Sequence, residues 1–119
     1  MTKQEYEAYI EELKERGYKF VDSRYGNQPY YYKAIEYRED KYGDNRAVCQ
    51  LLFYLYEMEV FDRIHYSIEP QVDVSRNIDE RLIFNICHPK RSIDECELLA
   101  IEFMEWIDMN IKVPQEDGD

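Results

Sequence analysis

The sequence predicts a single α+β domain, an antiparallel sheet of about five strands with N- and C-terminal helices packed on one face. Three observations carry this expectation. Capped segments with helical apolar spacing stand at the two ends of the chain, the middle alternates with a period of two, and the connections are too short for parallel crossovers.

The first helix follows from Thr2 and Glu5, spaced as a capping box, and from Tyr6, Tyr9, Ile10 and Leu13 at i, i+3, i+4 and i+7. Gly17 supplies a stop at the residue past the helix end. Strand-like alternation then runs from Tyr18 to Asp22, and Gly26-Asn27-Gln28-Pro29 turns the chain into the aromatic run Tyr30 to Arg38.

A polar loop, Glu39 to Asn45, leads into Ala47 to about Tyr56. Phe53, Tyr54 and Tyr56 suit a sheet and no cap precedes Ala47, so this segment reads as a third strand. Val48, Leu51, Leu52 and Leu55 also sit at helical spacing, which keeps a buried helix as the alternative for residues 47–60. From His65 onward, Tyr66, Ile68, Val72 and Val74 are expected to face the core while Ser67, Glu69, Gln71 and Asp73 face out. Pro70 marks an edge position or a bulge. After Arg76-Asn77-Ile78-Asp79, residues Arg81 to Cys87 read as the second arm of a hairpin, with Leu82, Phe84 and Ile86 on one face.

The last helix carries a second capping box, Ser92 and Glu95, and an apolar stripe of Cys96, Leu99, Ala100, Phe103, Ile107 and Ile111. Asp94 and Glu95 suit the positive end of its dipole. Pro114 ends it, so residues 1–113 are expected to form the domain and 114–119 an acidic disordered tail.

With 119 residues and a formal net charge of −11, the chain is poorly suited to direct nucleic-acid binding, because phosphate contacts need Lys and Arg. The longest apolar-rich stretch, Val48 to Val60, is interrupted by Gln50, Glu57 and Glu59, which argues against a membrane span. The first residues lack the basic head and apolar run of a secretory signal. Three widely spaced cysteines, Cys49, Cys87 and Cys96, fit reduced thiols in a cytoplasmic compartment better than a disulfide framework.

Chemistry-bearing patterns are sparse. Cys87-His88 with Cys96 and His65 lacks paired-ligand spacing, so no structural metal is expected. Adjacent strand residues point to opposite faces, which separates Cys87 from His88 as a nucleophile and base. No phosphate-binding glycine loop, nucleophile elbow or zinc-protease helix occurs, so neither cofactor nor catalytic residue is assigned. His88, Lys90 and Arg91 form a local basic cluster before the last helix and are the candidates for an anion.

Two features point to association. From Asp94 onward the chain holds nine acidic residues against one base, Lys112, and a helix presenting Asp94, Glu97, Glu105 and Asp108 would steer toward a basic protein. In the second strand, Tyr30 and Tyr32 fall on one face and Tyr31, Ile35 and Tyr37 on the other. Helices on one side cannot bury both sets. Because Lys33 shares the face of Tyr31 and Ile35, the set Tyr31, Lys33, Ile35 and Tyr37 is expected outward, as the contact surface.

The sequence therefore reads as a non-enzymatic cytoplasmic domain that binds another protein or itself. Two alternatives stand beside it: a small enzyme or ligand-binding domain with a pocket between helices and sheet, and an acidic decoy for a nucleic-acid-binding protein.

Overall fold

The computed structural model describes residues 1–22, 28–40, 42–75, 81–85 and 92–110. The elements are α1 (Lys3–Glu15), β1 (Lys19–Val21), β2 (Tyr30–Glu39), β3 (Asn45–Val60), β4 (Arg63–Ser75), β5 (Arg81–Asn85) and α2 (Ile93–Asn110). The class is α+β, with an open antiparallel sheet and one helix from each end of the described chain. β1 is only a three-residue edge, and the strands lie in the sequential order β1-β2-β3-β4-β5. Every neighbour pair is antiparallel.

Both ends of α1 are fixed by local chemistry. Thr2 and Glu5 form the expected capping box, the Glu5 amide donating to Thr2 Oγ1 over 3.1 Å. At the other end Gly17 takes φ +85°, while the Gly17 amide donates to the Lys14 carbonyl and the Tyr18 amide to that of Leu13. This is a Schellman end, and the two residues at the positions of its characteristic apolar contact, Tyr18 and Leu13, are both buried in the same core cluster. In α2 the Glu95 amide donates to Ser92 Oγ over 3.1 Å.

The two helices cover one face of the sheet. Leu51, Phe53 and Leu55 of β3 alternate toward them, joined by Tyr31 of β2 and by Ile68, Val72 and Val74 of β4. Tyr6 and Leu13 descend from α1, and Ile93, Cys96, Ala100, Met104 and Ile107 from α2, into the same cluster. Phe53 lies at its centre, fully buried, with the rings of Tyr9 and Tyr18 at 5.7 and 5.4 Å. Cys49 and Cys96 are free and buried, whereas Cys87 lies outside the described residues.

Residues 47–60 are strand, which removes the helical alternative. β3 extends to Val60 and meets β4 through a two-residue turn, Phe61-Asp62, that the sequence did not signal. Both turn residues are left-handed, at φ 51° and 60°, the backbone usually supplied by Asn-Gly. Pro70 lies where β4 becomes an edge strand: β5 pairs only with Gln71 to Ser75, so among the described residues Arg63 to Pro70 have β3 as their sole neighbour. In β5, the register sets Leu82 opposite Val74 and Phe84 opposite Val72.

The outward assignment of Tyr31, Lys33 and Ile35 is corrected by the structure. Tyr31 is 6% exposed and belongs to the core, paired with Phe53. Lys33 also lies on the covered side, its Nζ donating to the Arg16 carbonyl at the C-cap of α1 over 3.1 Å and standing 5.4 Å from the Tyr18 ring centroid. A lysine can place its stem among apolar groups when its charge meets the negative end of a helix and an aromatic face.

Ile35 is an extra residue in β2. Ala34 pairs with Gln50 and Glu36 with Cys49, so two steps on β2 match one on β3, and Ile35 packs against the core from the resulting bulge. The opposite irregularity follows at once, with Val48 extra on β3 between Cys49 and Ala47. After Ile35 the facing of β2 is reversed: Glu36 and Arg38 turn to the helix side, and Tyr37, 58% exposed, turns away from it.

The Phe61-Asp62 turn gives a stability prediction. A left-handed L-residue costs roughly 1–2 kcal/mol, so Phe61→Asn combined with Asp62→Gly should raise the unfolding free energy by about 1 kcal/mol or more in urea titration. An unchanged or lower midpoint would show that the turn is not strained.

Candidate association surface

The sheet face away from the helices carries side chains from alternate positions of β2, β3 and β4. Register sets Tyr30 opposite Tyr54, Tyr32 opposite Leu52, and Ala34 opposite Gln50, while Tyr56 lies further along β3 opposite Ser67. The Tyr30 and Tyr54 rings are 5.1 Å apart, and those of Tyr30 and Tyr32 6.2 Å. Tyr30, Tyr32, Tyr54 and Tyr56 are each half-buried, on the side away from the two helices of the described residues. Beneath them Leu52 is only 4% exposed.

Of the residues expected to form the contact surface, only Tyr37 lies on this face, because the bulge at Ile35 separates it from Tyr31 and Lys33. Tyr30 and Tyr32 are here instead, as the alternation of β2 requires once Tyr31 is inward. Sequence reasoning missed Leu52, Tyr54 and Tyr56. Their even-numbered spacing is a signal, but the odd-numbered Leu51, Phe53 and Leu55 are equally apolar, so alternation alone cannot say which set is covered.

The acidic candidates on α2 are mostly engaged within the molecule. Asp94 accepts a 2.6 Å hydrogen bond from Arg16 Nη1, which also lies 3.8 Å from Glu97. Glu97 accepts the Tyr18 hydroxyl proton at 2.9 Å. Asp108 receives both guanidinium nitrogens of Arg38, at 3.0 and 2.6 Å, a bidentate tie from α2 to β2. Glu36 Oε2, shut off from water, lies 3.0 Å from Arg38 Nη2 as an ion pair without aligned hydrogen-bond geometry. Only Glu105 of the four acids stands exposed with no bond or ion pair among the described residues.

These contacts shift several ionisations. The hydrogen bond from Arg16 holds the Asp94 carboxyl below its usual range, and the same bond raises the Arg16 guanidinium. Burial raises the Tyr18 hydroxyl, reinforced by its bond to Glu97. Burial also pushes the Cys49 thiol up to about 12, helped by the nearby Glu36 and Asp73 carboxylates, so it is a poor nucleophile at neutral pH.

No cluster of three His, Cys, Asp or Glu side chains suited to a metal occurs among the described residues. His65 is exposed on the β4 arm, while the anion candidates His88, Lys90 and Arg91 lie outside the described residues. No helix among those residues is long and apolar enough to cross a membrane.

No protein-family model, curated protein or solved structure matches this chain. The candidate surface therefore rests on its own geometry.

Because the folded-state pKa of Asp94 is lowered, its contribution is fully present above the ordinary carboxylate range and is lost as pH falls through the folded value. In urea titrations from pH 6 to pH 2.5, Asp94→Asn should lower stability at pH 6 and narrow its gap to the parent chain as the pH drops. A gap that stays constant would show that Asp94 does not contribute through its charge.

Proposed function

We propose that this chain is a non-enzymatic protein-association domain whose contact surface is the sheet face away from α1 and α2, bearing Tyr30, Tyr32, Tyr54 and Tyr56. The observation that carries the reading is that this aromatic cluster lies on the side away from α1 and α2, the helices of the described residues. Tyrosine gives rigid apolar contact area with a polar tip, and it is enriched among residues that dominate binding energy. A cytoplasmic setting fits the two buried free thiols.

Packing weighs against a ligand pocket between helices and sheet. That space is filled by Leu13, Leu51, Phe53, Ile93 and Ile107, none more than 1% exposed. The decoy alternative needs a free array of carboxylates, and Asp94, Glu97 and Asp108 are held by Arg16, Tyr18 and Arg38.

The test replaces Tyr30 and Tyr54 together by serine. Self-association is followed by sedimentation equilibrium, and partner capture by immobilised protein in native extract at low and high salt. Loss of two interface tyrosines should weaken the association about tenfold or more while the chain stays folded by circular dichroism. Tyr31→Ser, from the covered face, should instead lower the melting temperature steeply. Association unchanged in the folded double variant would overturn the reading, as would a parent chain that neither self-associates nor retains a partner at high salt.

A further inference from the structure

The solvent side of α2 is not the polar surface expected of a helix packed on a sheet. Its inner stripe is Ile93, Cys96, Ala100, Met104 and Ile107, all buried. On the opposite side Leu98, Ile101, Trp106 and Met109 are 56%, 46%, 53% and 84% exposed. At 100° per residue, Leu98 and Met109 lie nearly in line, with Ile101 and Trp106 to either side. Glu102 and Glu105 stand on the same face, exposed and with no bond or ion pair among the described residues. Leu98 to Met109 spans about 16 Å of helix axis.

We propose that this outer face of α2 docks a basic amphipathic helix of about three to four turns, whose apolar residues cover Leu98, Ile101, Trp106 and Met109 and whose Lys or Arg side chains meet Glu102 and Glu105, which the same spacing sets between Ile101 and Trp106. Charge selects the occupant. α2 contains no basic residue, and four of its six acids are engaged within the molecule, Asp94 and Asp108 by arginines, Glu95 by Ser92 and Glu97 by Tyr18, whereas Glu102 and Glu105 have no partner among the described residues and are left for an external cation. A second copy is disfavoured, because two such faces packed together would oppose glutamates to glutamates in a chain of net charge −11. Anionic lipid meets the same repulsion. The surface lies on the far side of the helix layer from the tyrosine cluster and does not depend on it.

Trp106 is the chain's only tryptophan and sits within the face, so its emission reports occupancy directly. The probe is a synthetic 18-residue amphipathic peptide of leucine and lysine, compared with a leucine–glutamate peptide of identical apolar pattern. The lysine peptide should shift Trp106 emission to the blue and saturate at one per chain; the glutamate peptide should not. Leu98→Ser with Met109→Ser, and separately Glu102→Lys with Glu105→Lys, should each weaken the response at least tenfold. Glu7→Lys with Glu11→Lys changes charge equally on exposed α1 positions and should leave it near the parent value. The Tyr30→Ser, Tyr54→Ser chain should also respond normally, which separates this inference from the sheet-face reading. No shift, equal shifts with both peptides, or equal weakening by the α1 reversals would overturn the proposal. So would a blue shift produced by zwitterionic phosphatidylcholine vesicles and not by the peptide, which would make the face a lipid contact.

Discussion

A sheet covered on one side must settle, at each residue, which side is buried, and in β2 that choice is reversed at Ile35. Without the extra residue, strict alternation would place Tyr37 under the helices and Glu36 and Arg38 on the open face. With it, Tyr37 leaves the covered side, and Arg38 reaches Asp108 of α2 with both guanidinium nitrogens. The bulge gives β2 an anchor for the C-terminal helix and removes a bulky ring from a layer already filled by Tyr31, Phe53 and Tyr18.

The acidity of the chain acquires structure from the same packing. Arg16 at the end of α1 and Arg38 in β2 each take a carboxylate from α2, and Tyr18 takes a third. Exposed ion pairs contribute little individually. Here they orient a helix whose buried stripe already fixes it on the sheet, leaving the remaining charge on its outer side. The acidic helix is therefore held by one set of carboxylates and exposes another.

Much of the element pattern was legible. The Thr2–Glu5 capping box and the Ser92 N-cap, whose hydroxyl accepts the Glu95 amide, rest on local hydrogen bonds that need no tertiary partner, and Gly17 supplies a backbone conformation for which it is well suited. The alternation from Ile68 to Val74 has a polar side, so its facing could be read, although Asp73 on that side is buried rather than solvent-exposed. In β2 and β3 both sides are aromatic or aliphatic, and the decision passed to Lys33. Its charge suggested solvent, but the α1 C-cap carbonyl and the Tyr18 ring receive it on the covered face. That contact joins residues 17 apart, and neither the bulge at Ile35 nor the Phe61-Asp62 turn carries a glycine or proline to announce it. Alternation thus shows that one sheet face bears outward tyrosines, while the side of Tyr31, Lys33 and Ile35 is set by contacts distant in sequence.

Which tyrosines are covered is tested most directly by graded nitration with tetranitromethane, mapped by peptide mass spectrometry on dilute native protein. Tyr30, Tyr32, Tyr37, Tyr54 and Tyr56 should be modified well before Tyr6, Tyr18 and Tyr31, whose rings are buried. Early modification of Tyr31 with protection of Tyr30, Tyr32 and Tyr54 would contradict the facing of the sheet and with it the proposed association surface.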